Sequence, residues 1–464
     1  MASSTDSAAP VLAPDGDDSA IDAAVRRLAT LQVPRYTSYP TAAEFAPLSG
    51  SDDHRRWLAQ LDGSEAISLY LHVPYCRDIC LYCGCHTKKT NREDTVEGYR
   101  EALEREIRLV GSQFTAKVPV ARLHWGGGTP SILGGEGLAS VVAVLREYFD
   151  FEPRFEHAIE LDPRYVTAEL AAALASLGVN RASLGVQDVN PLVQAAIGRL
   201  QPLSVVQGAV AALRAAGINH LNFDLIYGLP LQTVESLRKT CATVIALHPD
   251  RIAHYGYAHL PERKANQRRI DATTLPDADA RFEQAQTIAE EFQQHGYVKI
   301  GIDHFALAED PLALAAAEGR LHRNFQGYTD DDRNILVAFG ASAISEFRDG
   351  YVQNIVDVPT YVRTVNSGIM PSARGCGIDA GDRTRARIIE SLLCHFRADL
   401  AALAPGEDFS EERALLRPFV TDGLARIEGT VVVVTPPGRT VARVIASVFD
   451  VYLRQRTGRF SVAV

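Results

Sequence analysis

Four of the seven cysteines, Cys76, Cys80, Cys83 and Cys85, fall within ten residues of one another, in HVPYCRDICLYCGCHTKK. The spacing is C-x3-C-x2-C-x-C. In a reducing compartment, thiols this close hold metal and do not form disulfides. Two chemistries compete. Three thiolates on one loop can each bind one iron of a [4Fe–4S] cube and leave the fourth iron open. The amino and carboxylate groups of S-adenosylmethionine (SAM) can chelate that iron. An electron from the cube then cleaves the sulfonium, and the 5′-deoxyadenosyl radical released takes hydrogen from unactivated carbon. The alternative is a zinc site with Cys85 as fourth ligand. Zinc sites usually pair C-x2-C knuckles from two places, and one residue between Cys83 and Cys85 closes a tetrahedron awkwardly. The spacing favours the cube, with Cys76, Cys80 and Cys83 as ligands and Cys85 outside the metal. Cys241, Cys376 and Cys394 are scattered.

The other residues with chemical potential stand at the ends of apolar runs. They are WGGGTP (125–130), ELDP (160–163), GVQD (185–188), FDLIYGLP (223–230) and YAHLP (257–261). Gly126, Gly127 and Gly128 let backbone approach a ligand, although many such runs are only tight turns. Glu160 and Asp162 alternate with Ile159 and Leu161, so both carboxylates face one side of a strand. One of them suits the SAM amine or ribose; the other reading is an internal salt bridge. Asp224 sits inside an apolar strand, where a charge needs a partner or a ligand. His72, His124 and His259 near strand ends are, taken singly, more often hydrogen-bonded core residues than catalysts.

The elements that must position these groups follow a strand-then-helix rhythm. Strands are expected at 66–73, 121–125, 157–162, 181–187, 218–227 and 251–258. Helices are expected at 95–111, 136–149, 167–177, 203–216, 233–247 and 278–295. Such alternation implies right-handed βαβ units and a parallel sheet, either a partial barrel or a doubly wound sheet. A parallel barrel carries its chemistry at the C-terminal ends of its strands, which is where these motifs fall. The chain then divides into a flexible tail (1–20), an N-terminal arm (21–59), the barrel (60–305) and a mostly helical C-terminal domain (306–464). Amphipathic helices are expected at 382–397 and 441–454, with a strand at 430–435.

Composition sets the limits. The 464 residues are 46% hydrophobic and 22% charged, too apolar for a disordered chain. No uninterrupted apolar run reaches the roughly 18 residues of a membrane helix, and the N-terminus lacks a signal pattern. A cytoplasmic protein that does not engage a membrane is expected. The net charge of −10 argues against nucleic-acid binding.

With these residues in place, the chain resembles the oxygen-independent coproporphyrinogen III oxidase family of radical SAM enzymes. PRYTSYPT, the CGC after the first cysteines, HWGGGTP, GVQD, NFDLIYGLP, YAHLP, DHFA, LHRNFQGYT and DVYLRQ carry the resemblance over about residues 33–454. Ile302 and Gly256 stand where family members often have Met and Asn. The resemblance implies a partial (β/α)6 barrel, with an N-terminal arm and a C-terminal domain covering its mouth. It also implies a [4Fe–4S] cluster and two molecules of SAM. Carried over by motif, Tyr70, Tyr82, Gly127, Glu160 and Ile344 contact the cluster-bound SAM. Gly128, Thr129, Gln187, Arg199, Asp224 and Ala258 line a second SAM site. His72, Cys85 and Gln326 match positions the family needs. The implied reaction turns two propionates of coproporphyrinogen III into vinyl groups, giving protoporphyrinogen IX in haem biosynthesis. An electron donor and an acceptor are implied but unidentified, and a monomer is expected. The substrate carries four carboxylates, and arginine forks suit carboxylates best. Arg35 on the arm and Arg323 in HRNFQGYT are the candidates. Competing readings are a haem chaperone, which usually lacks the arm, the Cys85 position and HRNFQGYT, and a methyltransferase or haem-degrading relative.

Overall fold

The structure, a computed structural model, describes residues 18–455. Most of the expected 1–20 tail lies outside the described residues; its last three residues open the helix Asp18–Ala29. The barrel begins at Ile67–Val73 (β1), which is almost wholly buried. Val118–Gly127 (β2), Phe149–Leu161 (β3), Arg181–Gln187 (β4), His220–Tyr227 (β5) and Arg251–Gly256 (β6) follow. Each pairs in parallel with the strand before it.

The crossovers are the helices Glu93–Gly111, Gly134–Tyr148, Ala168–Ser176, Leu203–Ala215 and Val234–Ile245. Their sequences explain their placement. In Glu93–Gly111, Glu93 and Asp94 sit in the first turn, where the helix dipole favours anions. Val96, Tyr99, Leu103, Ile107 and Val110 recur every three or four residues and are all buried. Val234–Ile245 opens with a reciprocal cap between Thr233 and Ser236. The apolar strand faces pack under these helices in one core that includes Leu71, Leu123, Trp125, Ile159, Leu184, Phe223 and Ile252.

The expected break at 305 is not a break in the sheet. His304–Leu307 pairs antiparallel with β6. At the opposite edge Leu336–Phe339 pairs in parallel with β1. Ile344–Phe347, Gly350–Asn354 and Ser372–Gly377 then extend that edge antiparallel. The mostly helical reading of 306–464 is therefore corrected for this stretch. Its strands are only four to six residues long, too short for alternation to stand out.

A second core joins Val25 and Leu28 of the N-terminal helix to Leu392, Leu424, Val432, Ile445 and Phe449. It contains a three-stranded sheet of Arg397–Asp399, Val431–Val434 and Ala425–Glu428. The helix expected at 441–454 is broken into Ala442–Ala446 and short 3-10 turns. Asp450 ends it by accepting the backbone N–H groups of Tyr452 and Leu453, each at 3.0 Å.

Inside the barrel, charges replace apolar packing. Arg122 reaches Glu156 at 3.1 Å and Asp330 at 2.8 Å, Arg181 reaches Glu156 at 3.0 Å, and Arg251 reaches Asp310 at 2.7 Å. Such a buried network adds little net stability but specifies one arrangement. Here it ties Asp330, just after HRNFQGYT, to strands β2, β3 and β6.

Candidate active site

The cysteine loop leaves β1 at the C-terminal rim. Tyr75–Cys76 pairs with Lys88–Lys89, and Leu81 N–H donates to the Ile197 carbonyl at 2.9 Å. Two side chains that the sequence reading missed hold the loop's backbone. Asn266 Nδ2 lies 3.1, 3.1 and 2.9 Å from the carbonyl oxygens of Cys80, Leu81 and Cys83. Gln267 Nε2 donates to Tyr82 O at 2.8 Å and to Ala258 O at 3.2 Å. In KANQRR these amides look like ordinary loop residues, so no sequence signal pointed to them.

All four cysteines line one cavity of about 390 Å³, with Tyr82, Gly127, Gly128, Thr129, Glu160, Gln187, Arg199, Asp224 and Gln326. Donors surround the sulfurs. Thr129 Oγ1 lies 3.3 Å and Thr87 Oγ1 3.4 Å from Cys76 Sγ. The buried Arg199 donates to Cys80 Sγ at 3.4 Å, Asp162 at 3.1 Å and Gly185 O at 2.7 Å. Asp162 thus forms the internal salt bridge that was one of its two readings, and it orients Arg199. A hydrogen bond from Cys85 lowers the Cys83 thiol to about 6, whereas burial raises Cys76.

This donor set fits a cube better than a single ion. Cys76, Cys80, Cys83 and Cys85 all come from one loop, whereas zinc sites usually pair C-x2-C knuckles from two places. Three thiols lining one cavity suit irons that each take one, and hydrogen bonds to sulfur tune such clusters.

The glycine run is required by close approach. A Cβ on Gly127 would lie 2.6 Å from His72 Cε1, and one on Gly128 would lie 2.5 Å from Tyr75 O. Gly127 also has φ +110°, which side chains disfavour. Its N–H donates to Glu160 Oε2 at 3.2 Å. His72 Nε2 faces the His86 carbonyl at 3.3 Å, so it carries the proton, and Nδ1 accepts from Tyr70 Oη at 3.1 Å. Burial lowers the pKa of His72. His124 lies 3.4 Å from Glu160 and stacks on Tyr70, while His259 meets Tyr257 Oη at 2.9 Å. Asp224 accepts from Ser183 at 2.8 Å and Asn222 at 2.9 Å. Burial first, then Glu160, raises it to about 6. Gln187 adopts a left-handed φ of 65°. Tyr70 and His72 stand behind the cavity wall. The half-buried Ile344, at the start of Ile344–Phe347, lines neither this cavity nor the next.

Tyr255 and Gln326 also line a second chamber of about 530 Å³. Ala258 belongs to this second chamber, as do Arg35 and Arg323. Three more cations, Arg281, Lys299 and Arg443, line it too. The sequence reading missed them because they stand in unrelated segments.

A parallel barrel with three thiols after its first strand and a glycine run at the end of its second defines a radical SAM protein, and residues 70–244 match the Radical SAM superfamily. The relatives narrow the class. The oxygen-independent coproporphyrinogen III oxidase of Bradyrhizobium diazoefficiens is 44% identical over 427 residues, covering 91% of this chain and 95% of that protein. Its namesake from Pseudomonas aeruginosa is 39% identical, covering 94% and 98%. The solved coproporphyrinogen III oxidase from Escherichia coli, described as a radical SAM enzyme, matches with a TM-score of 0.86 at 37% identity, over 91% of this chain and 100% of that one. This chain belongs to the oxygen-independent coproporphyrinogen III oxidase family.

Proposed function

We propose that the chain converts coproporphyrinogen III to protoporphyrinogen IX by oxygen-independent oxidative decarboxylation. One observation carries the reading: a thiol-lined cavity, suited to an iron–sulfur cofactor, adjoins a cation-lined chamber that suits an anionic substrate. When bound, the [4Fe–4S] cluster and SAM supply the 5′-deoxyadenosyl radical that takes hydrogen from the propionate carbon next to the ring.

The chain's own residues position, hold charge and exclude water. Cys76, Cys80 and Cys83 hold the cluster, and Arg199 places a positive charge on the Cys80 sulfur. Gly127 and Gly128 leave room for SAM, and Glu160 takes its ammonium or ribose hydroxyls. Tyr70 fixes a neutral His72 behind them, and Tyr82 completes the first SAM environment. A second SAM is assigned to Gly128, Thr129, Gln187, Arg199 and Asp224 in the same cavity, whereas Ala258 lines the neighbouring chamber. Cys85 and Gln326 face the cavity that the substrate's reacting edge enters.

The presence of Cys85, the arm and HRNFQGYT speaks against a haem chaperone. No helix among the described residues is long and apolar enough to cross a membrane. We assign a cytoplasmic monomer in which a separate donor supplies the electron that cleaves each SAM and a separate acceptor takes the electron that each decarboxylating substrate radical gives up. The test is an anaerobic assay of the reconstituted protein with SAM, a reductant and coproporphyrinogen III. Protoporphyrinogen and CO2 are expected; deoxyadenosine without them would refute the oxidase reading and keep the radical SAM one.

A further inference from the structure

The second chamber is built for an anion. Five cationic side chains and only two acidic ones, Glu290 and Asp303, line it. They come from five places: Arg35 from the arm, Arg281 from the helix Ala278–Gln294, Lys299 from Tyr297–Ile300, Arg323 from His322–Asn324 and Arg443 from Ala442–Ala446. Asp303 acts on Lys299, Arg323 and Arg443 and offsets part of this charge, yet cations remain in excess, which favours an anion in the chamber. Arg323 Nε donates to the Arg35 carbonyl at 3.3 Å, yet its buried Nη1 has no hydrogen-bond partner. Such a guanidinium nitrogen is costly unless a ligand oxygen reaches it. Burial lowers Arg281 and Lys299, and burial plus the neighbouring Arg35 brings Arg443 to about 10.

We propose that this chamber reads the carboxylates of the tetrapyrrole, with Arg281, Lys299, Arg323 and Arg443 holding propionates and Arg35 closing over them. The inference rests on the oxidase reading and adds the residues that select the substrate. SAM also carries a carboxylate, but its ammonium and sulfonium give it a net positive charge, so a chamber of five cations opposes it. A tetra-anion is favoured there. Tyr255 and Gln326, which line both cavities, then mark the boundary across which the reacting propionate points toward the cluster side.

The test titrates the reconstituted holoenzyme with coproporphyrin III, the stable tetracarboxylate, with protoporphyrin IX, the dicarboxylate, and with SAM. In Arg443→Met and Arg281→Met, coproporphyrin affinity is expected to fall about 10- to 100-fold, the scale of a lost charge-assisted hydrogen bond. Protoporphyrin affinity falls less and SAM affinity stays unchanged, and Arg443→Lys recovers part of the loss. Should an interior variant fail to fold, Arg35→Gln, at an exposed position of the arm, gives the same reading with a smaller drop. Unchanged coproporphyrin affinity in folded variants overturns the inference, as does a loss of SAM binding in its place. Wild-type enzyme that cleaves SAM but binds no coproporphyrin defeats the substrate reading itself.

Discussion

The cluster cavity and the cationic chamber meet at Tyr255 and Gln326, yet they are assembled in opposite ways. The cluster's thiols lie on one loop, and most other groups of that cavity stand at strand ends in chain order. The chamber's cations come from the arm, a helix, a sheet edge, a hairpin and the C-terminal core. Radical generation needs close, fixed spacing around one cofactor, which a contiguous loop provides. Recognition of a wide anion needs charges far apart, and only distant segments brought together provide those. On the proposal above, the arm and the C-terminal core contribute residues to the substrate site.

The largest expected effect tests the first half of that contrast. Cys76→Ala should reduce iron from about four per chain to near none and abolish SAM cleavage, whichever substrate is present. Cys85→Ser should keep its iron, since Cys85 is assigned outside the ligand set. Iron and sulfide analysis with electron paramagnetic resonance reads both variants. Complete cluster loss in Cys85→Ser would return the site to a four-cysteine reading.

An intermediate effect is expected at Asp224, on the cavity side of the boundary. Its carboxyl is raised from 3.8 to about 6 in the folded state. The folded form therefore holds a proton that the unfolded form has lost, and stability falls as pH rises between about 4 and 6. The full shift corresponds to about 3 kcal/mol, an upper figure because Glu160 shares in it. Asp224→Asn should remove that part of the pH dependence of Tm. It should also weaken SAM binding about tenfold at pH 7, where the native carboxylate is charged. If the melting curves of variant and wild type keep the same slope across this window, Asp224 does not carry the proton.

The same contrast explains what was legible in the sequence. C-x3-C-x2-C-x-C and the six strand ends could be read because their residues are local and their periods long. Residues 336–377 were missed as sheet because strands such as Leu336–Phe339 have only four residues and take their identity from pairing with β1. The helix expected at 441–454 kept its apolar spacing, but Asp450 diverts two backbone N–H groups that would have continued it. Arg281, Lys299 and Arg443 carry no motif, since a cation in a helix or strand normally reads as solvated surface. Asn266 and Gln267 were hidden for a similar reason: their partners are backbone carbonyls nearly 190 residues away in sequence.

The smallest effect tests whether the arm belongs to the substrate site. Tyr36 lies between Arg35 and Thr37, both of which line the chamber. Its φ of 49° is unusual for an aromatic residue. That backbone places the buried hydroxyl 3.0 Å from Asp450 Oδ2, to which it donates. Tyr36→Phe removes one hydrogen bond, at a cost of about 1 kcal/mol, and frees the arm to lift. The expected outcome is a KM for coproporphyrinogen III raised about three- to fivefold, the equivalent of that energy. SAM affinity and iron content should stay at wild-type values, because neither involves the arm. A change in SAM affinity with KM unaltered would place the arm with the cluster cavity and erase the division of labour between the two cavities.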